Sequence, residues 1–176
     1  DPLDFGRPAF RTPRLGFAHG AAGIAYALTR WLECDREPPV VDAVRAAWAY
    51  ERRVFAESGG TWPTTRADGS RLVMAAWCHG APGIGLARAC GSQSLADEQV
   101  PGEIGAAMKA TRAAPPSRLG HLCCGNLGRA EAMLSVGQVL ADPELASRGR
   151  RLAEAVAAQV IEYGRAGMRG QLFERG

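Results

Sequence analysis

Lysine is nearly missing from this chain: Lys109 is the only one, and every other basic residue is arginine. The arginines form no run and do not interleave with aromatics, which make up only 7% of the residues. A net charge of +3 scattered in this way offers a nucleic acid little to bind. No apolar stretch approaches the roughly 20 residues of a membrane span. No pattern of basic, apolar and then small residues opens the chain, which begins at Asp1 without an initiator Met. Cysteine is sparse, at five residues with uneven spacing. An odd count, in a chain too long to need staples, argues against a disulfide framework and for a reduced, cytoplasmic setting. No segment stands out as alternating apolar and polar residues like a half-buried strand.

What the chain has is enough apolar residue, 47% of 176, for one domain with its own core. It also has an internal repeat. "GFAHGAAGIA" at 16–25, "AWCHGAPGIG" at 76–85 and "HLCCGNLGRA" at 121–130 align on a Gly-x-x-Gly pair. The pairs are Gly20/Gly23, Gly80/Gly83 and Gly125/Gly128. In this register His19, His79 and Cys124 are equivalent, as are Ala18, Cys78 and Cys123. Each glycine pair opens an apolar run of helical character.

Second helical stripes lie between the motifs. Val44, Trp48 and Phe55 mark one over 41–57, and Val156, Val160 and Tyr163 another over 143–163. Met133, Gly137 and Leu140 mark the helix that follows the third motif. The pattern over 95–112 is weaker, with Pro101 and Gly102 interrupting it. Loops are expected at Pro38-Pro39, over 59–70 and at Pro115-Pro116. The result is an all-α chain of about three helical hairpins, each begun by a glycine-rich turn. Hairpins at a regular period stack into a solenoid or close into an α/α toroid.

Three helix starts pointing the same way bring the residues before them to one end. Those residues include Cys78, Cys123 and Cys124, with His19, His79 and His121 close by. Three protein ligands with one open position is the arrangement of a catalytic zinc site. Other readings stand beside it. A Cys-Cys pair can be plain filler or a strained vicinal disulfide, and His19 or Gly-x-x-Gly alone can be purely structural. His121 reads as a loop or supporting group. Cys34 and Cys90 fall in helical patterns and read as small core residues.

The three motifs together resemble the lanthionine synthetase C-like (LanC-like) cyclase family. They are most similar to the C-terminal cyclase domain of the bifunctional class II, LanM-type enzymes. The resemblance covers about residues 14 to 140, more weakly to 163. It implies an α/α toroid. It also implies addition of a peptide cysteine thiol to dehydroalanine or dehydrobutyrine in a dehydrated precursor peptide, which makes a thioether ring. It places the Zn²⁺ ligands on Cys78, Cys123 and Cys124. Cysteine at 124 stands where many members have histidine, and three thiolates donate more charge than two thiolates and an imidazole. The resemblance places the acid/base histidine on His19, with His79 directly after the first ligand.

The chain also departs from the family. A complete toroid needs about twice this length, so residues 1–176 are expected to be a partial cyclase domain, a partial arc with a diverged tail at 165–176. No motif carries the acidic residue that partners the family's histidine, and neither Asp1 nor Asp4 matches one. Met74 stands where some relatives have arginine. A non-catalytic zinc- or thiol-binding module is therefore the competing reading, and a separate chain completing the toroid is an expected partner. A thiol-activating prenyltransferase, another zinc α/α toroid, does not match the motifs.

Overall fold

The computed structural model describes residues 14–66 and 68–163. Asp1, Asp4 and the tail at 165–176 lie outside the described residues. In chain order the elements are α1 (Ala21–Trp31), α2 (Pro38–Glu57), β1 (Pro63–Thr65), β2 (Arg71–Val73), α3 (Ala81–Ser92), α4 (Val100–Ala113), α5 (Asn126–Val139) and α6 (Pro143–Tyr163).

The helices pack as three consecutive hairpins, α1 with α2, α3 with α4 and α5 with α6, while α1 and α5 each flank α3. The motif-bearing helices thus form an inner row and the others an outer row. The inner helices are short and rich in Ala and Gly, which lets neighbours approach closely. Every residue of α3 from Ala81 to Ala89 is buried. The outer helices bury one stripe each. On α2, Val44 and Trp48 are fully buried and Phe55 packs against the core. On α6, Leu145 and Val156 are buried and Val160 is half-buried. The side chain of Tyr163 lies outside what is described.

The weak pattern over 95–112 holds a regular helix from Val100 on. Val100, Ile104, Ala107, Met108 and Thr111 form its buried face. Pro101 sits in its first turn, where the missing N–H has no intrahelical partner to lose. Within and after the loop expected over 59–70 there is a small antiparallel hairpin, with Pro63 opposite Val73 and Thr65 opposite Arg71. Three-residue strands are too short to show an alternating pattern. The core reading of Cys34 is wrong: α1 ends at Trp31, and Cys34 lies exposed in the turn that follows. Cys90, on α3, is half-buried.

One charged cluster lies inside the core. Arg88 of α3 and Glu51 of α2 are 1% and 0% exposed, with Nη1 3.0 Å from Oε2. Arg88 Nε also donates to Glu103 of α4 at 2.7 Å. Arg52 pairs with both Glu103 and Asp97. Arg88 further lies 5.3 Å over the Trp48 ring. The cluster joins α2, α3 and α4.

The second glycine of each motif has one shared reason to be glycine. A Cβ on Gly23, Gly83 or Gly128 would collide with the carbonyl oxygen six residues earlier, at Phe17, Trp77 and Leu122 respectively. At Gly83 and Gly128 the same Cβ would also meet the Phe17 or Trp77 side chain of the preceding repeat. The turn therefore folds back over its own helix and onto its neighbour at this position. Gly83→Ala is expected to destabilise the protein by about 2 kcal/mol or more in denaturant melts. Gly102→Ala, in open space on α4, should stabilise it by up to about 1 kcal/mol.

Candidate metal centre

The turns before α1, α3 and α5 are stitched together by one repeated hydrogen bond. The N–H of Ala18 donates to the carbonyl of Cys78 at 3.3 Å, and the N–H of Cys78 donates to the carbonyl of Cys123 at 3.1 Å. These are the equivalent positions of the three motifs. The repeat thus places Cys123, with Cys124 next to it, directly against Cys78. Phe17 and Trp77, the residues just before, meet at a tilt of 37° with ring centroids 4.7 Å apart and hold the first two turns in the same relation.

All five cysteines are free thiols, so the vicinal pair is not a disulfide. Cys78 Sγ lies 3.2 Å from Cys124 Sγ, which lies 3.6 Å from Cys123 Sγ. The three sulfurs all fall within 4.8 Å of one another. Cys78 is buried, Cys124 half-buried and Cys123 exposed, so the cluster has a closed side and an open one. Three thiolates around a tetrahedral Zn²⁺ at about 2.3 Å would stand about 3.8 Å apart, and this cluster is close to that spacing. The donor chemistry fits a cation as well. Burial pushes the Cys78 thiol well up, and contact with Cys124 and Cys123 pushes it further. Burial likewise raises Cys124. A thiol held protonated by burial and by neighbouring thiols, as Cys78 is, ionises readily beside a bound cation.

The histidines take three different places. His121 lies behind the cluster, where its Nδ1 accepts the N–H of Cys124 at 3.3 Å and so orients that turn. His19 is exposed and stacks on His79 with centroids 5.2 Å apart and planes 28° apart. His79 is half-buried, and its Nδ1 is buried without a hydrogen-bond partner. Burial, then the neighbouring His19, depress its pKa, which favours the neutral ring. Met74 lines a cavity.

That cavity, of about 500 Å³, has Cys124 in its wall. Two residues that build its surroundings escaped the sequence reading. Arg129, on α5, donates from Nε to the carbonyl of Ala75 at 2.6 Å and from Nη1 to that of Pro115 at 2.5 Å. Asn126 clamps the preceding loop, its side chain exchanging two 2.8 Å hydrogen bonds with the backbone of Ser117. Both lie in or beside "GNLGR", so position in the third motif was the available signal.

Comparison with known proteins bears on the family and the fold. The family described as "Lanthionine synthetase C-like protein" matches residues 7–174. Nisin cyclase matches in structure with a TM-score of 0.67 at 18% identity, over 86% of this chain and 41% of that one. The chain therefore spans well under half the length of nisin cyclase, and at this identity the match speaks to the fold: a LanC-like helical toroid, of which six helices are described here. With the family matched along nearly the whole chain, this protein belongs to the lanthionine synthetase C-like family.

Proposed function

We propose that this protein forms thioether rings, adding a cysteine thiol of a dehydrated precursor peptide to dehydroalanine or dehydrobutyrine at a zinc centre. The observation that carries this reading is the approach of three cysteine sulfurs from two repeats to within 4.8 Å of one another. In this reading Cys78, Cys123 and Cys124 hold the metal and leave one position for the incoming thiol. When bound, Zn²⁺ supplies Lewis acidity, which lets a thiol of ordinary pKa near 8.5 react as thiolate at neutral pH.

The chain's own residues serve the rest of the reaction. The new C–S bond forms at the β-carbon as the alkene π bond breaks, and negative charge moves toward the adjacent carbonyl. The α-carbon must then take a proton. His19, exposed beside the cluster's turn, is the proposed donor, and the thiol's own proton replaces the one it gives. The neutral His79 stacked on it fixes the orientation of its ring. The net change is zero in mass and one fewer free thiol. The LanM-type relationship and a cytoplasmic setting belong to the same reading. No described helix is long and apolar enough to cross a membrane. On α1, Ile24 and Trp31 are 62% and 54% exposed one heptad apart, an apolar face on which a separate chain, or more of this one, can close the ring.

The test is a dehydrated peptide incubated with zinc-loaded protein, its free thiols counted by alkylation and its mass recorded. Ring formation removes the alkylatable thiol at unchanged mass. His19→Ala should slow this by about 10²-fold or more while zinc content is retained. An unchanged rate would remove His19 from the mechanism. A thiol-binding module without turnover is the second reading. It is favoured by the surroundings of His19, which pairs with no carboxylate among the described residues. In that case the peptide binds and its thiol persists.

A further inference from the structure

The cavity beside the cysteines has no role in the chemistry above. It lies between the β1–β2 hairpin, α4 and the loop into α5, and Trp62, Met74, Ala110, Leu119 and Cys124 contribute to its wall. At about 500 Å³, with mostly apolar walls, it has the size and character of a ligand site. Among the described residues, its one charged wall residue is Arg129. This arginine is anchored by two backbone carbonyls and makes no ion pair among the described residues. Burial depresses its pKa, and no anion among the described residues offsets that.

We propose that this cavity is a specificity pocket for a bulky apolar side chain of the substrate peptide, next to the cysteine whose thiol is captured. The proposal rests on the thiol-capturing reading of the cluster. The occupant follows from continuity: Cys124 belongs both to the cluster and to the cavity wall. A peptide whose thiol sits at the cluster has a neighbouring residue, its α-carbon about 3.8 Å from that of the cysteine, within reach of the cavity. Apolar walls favour Leu or Phe there. The unpaired positive charge of Arg129 disfavours Lys or Arg, and it gives the peptide carbonyls a donor at the rim. The pocket would thus select, among several cysteines in one peptide, those with an apolar neighbour.

Cobalt-loaded protein gives a direct readout, because a fourth thiolate ligand intensifies the sulfur-to-cobalt charge-transfer band. Short acetylated peptides with Ala, Leu, Phe or Lys before or after a single Cys are titrated against it. Leu or Phe should lower Kd about fivefold or more relative to Ala in at least one of the two orders, and Lys should not. Ala110→Trp and Ala114→Leu, two accessible wall positions on and just after α4, should each bring that ratio near one. A smaller preference in the native protein, or one that survives both substitutions, overturns the pocket while thiol capture stands. If no peptide adds a thiolate band, thiol capture itself is wrong and the pocket falls with it.

Discussion

Cys78→Ala should leave a folded protein that no longer holds stoichiometric zinc. The native protein should carry about one zinc per chain, and the variant should lose it to a mild chelator. The argument is geometric. Cys78 is the one sulfur contributed by the second repeat and the most buried of the three, so its loss removes the closed side of the cluster. Cys123 and Cys124, adjacent on one turn, cannot surround a metal alone. Cys124→Ala should behave in the same way. Cys34→Ala and Cys90→Ala should keep full zinc, since Cys34 is exposed after α1 and Cys90 lies within α3, and neither belongs to the cluster. Metal content against thiol count checks all four. Equal losses across the set would mean that the protein binds zinc through scattered thiols rather than at one site.

Glu51→Ala is the substitution expected to cost most in stability, about 3–5 kcal/mol, measured by denaturant unfolding. It removes the fully buried partner of Arg88, which is 1% exposed and keeps Glu103 alone as a carboxylate partner among the described residues. Glu51→Gln keeps the shape and should cost less. The two variants also separate an effect of pH. Burial raises the Glu51 carboxyl to about 7, against the pull of Arg88 and of the N–H groups of Gly16 and Ala22 beside it. Its folded pKa therefore lies above its unfolded value, and the folded protein binds this proton more tightly. The stability this group contributes is complete below about 4.5 and is lost as pH rises toward about 7. Glu51→Gln should flatten that slope in melting temperature; a slope equal to the native one would assign it to other groups.

Glu51 also shows what sequence patterns carry and what they omit. It occupies the stripe Val44, Trp48, Phe55 at the one remaining heptad position, so the helical period alone puts a carboxylate in the core. A glutamate is read as exposed unless its partner is known, and Arg88 lies in another helix. The helical hairpins and the cysteine register were legible because three turns repeat the same sequence. The equivalence of Ala18, Cys78 and Cys123 is realised as hydrogen bonds linking each turn to the next. Cys34 was misplaced because nothing in "TRWLECD" signals that α1 stops at Trp31. The hairpin at 63–73 and the tie from Arg129 to Ala75 depend on contacts that no local pattern encodes. His121 read as a supporting group from its offset, and it supports Cys124 through the backbone N–H.

Zinc-edge X-ray absorption on the purified protein, with and without a cysteine peptide, bears on all of this at once. Three sulfurs at about 2.3 Å with one lighter ligand are predicted for the free protein, and four sulfurs after the peptide is added. Two or fewer sulfurs in the free protein, or a sulfur count that the peptide leaves unchanged, would contradict a three-cysteine centre built to capture a thiol.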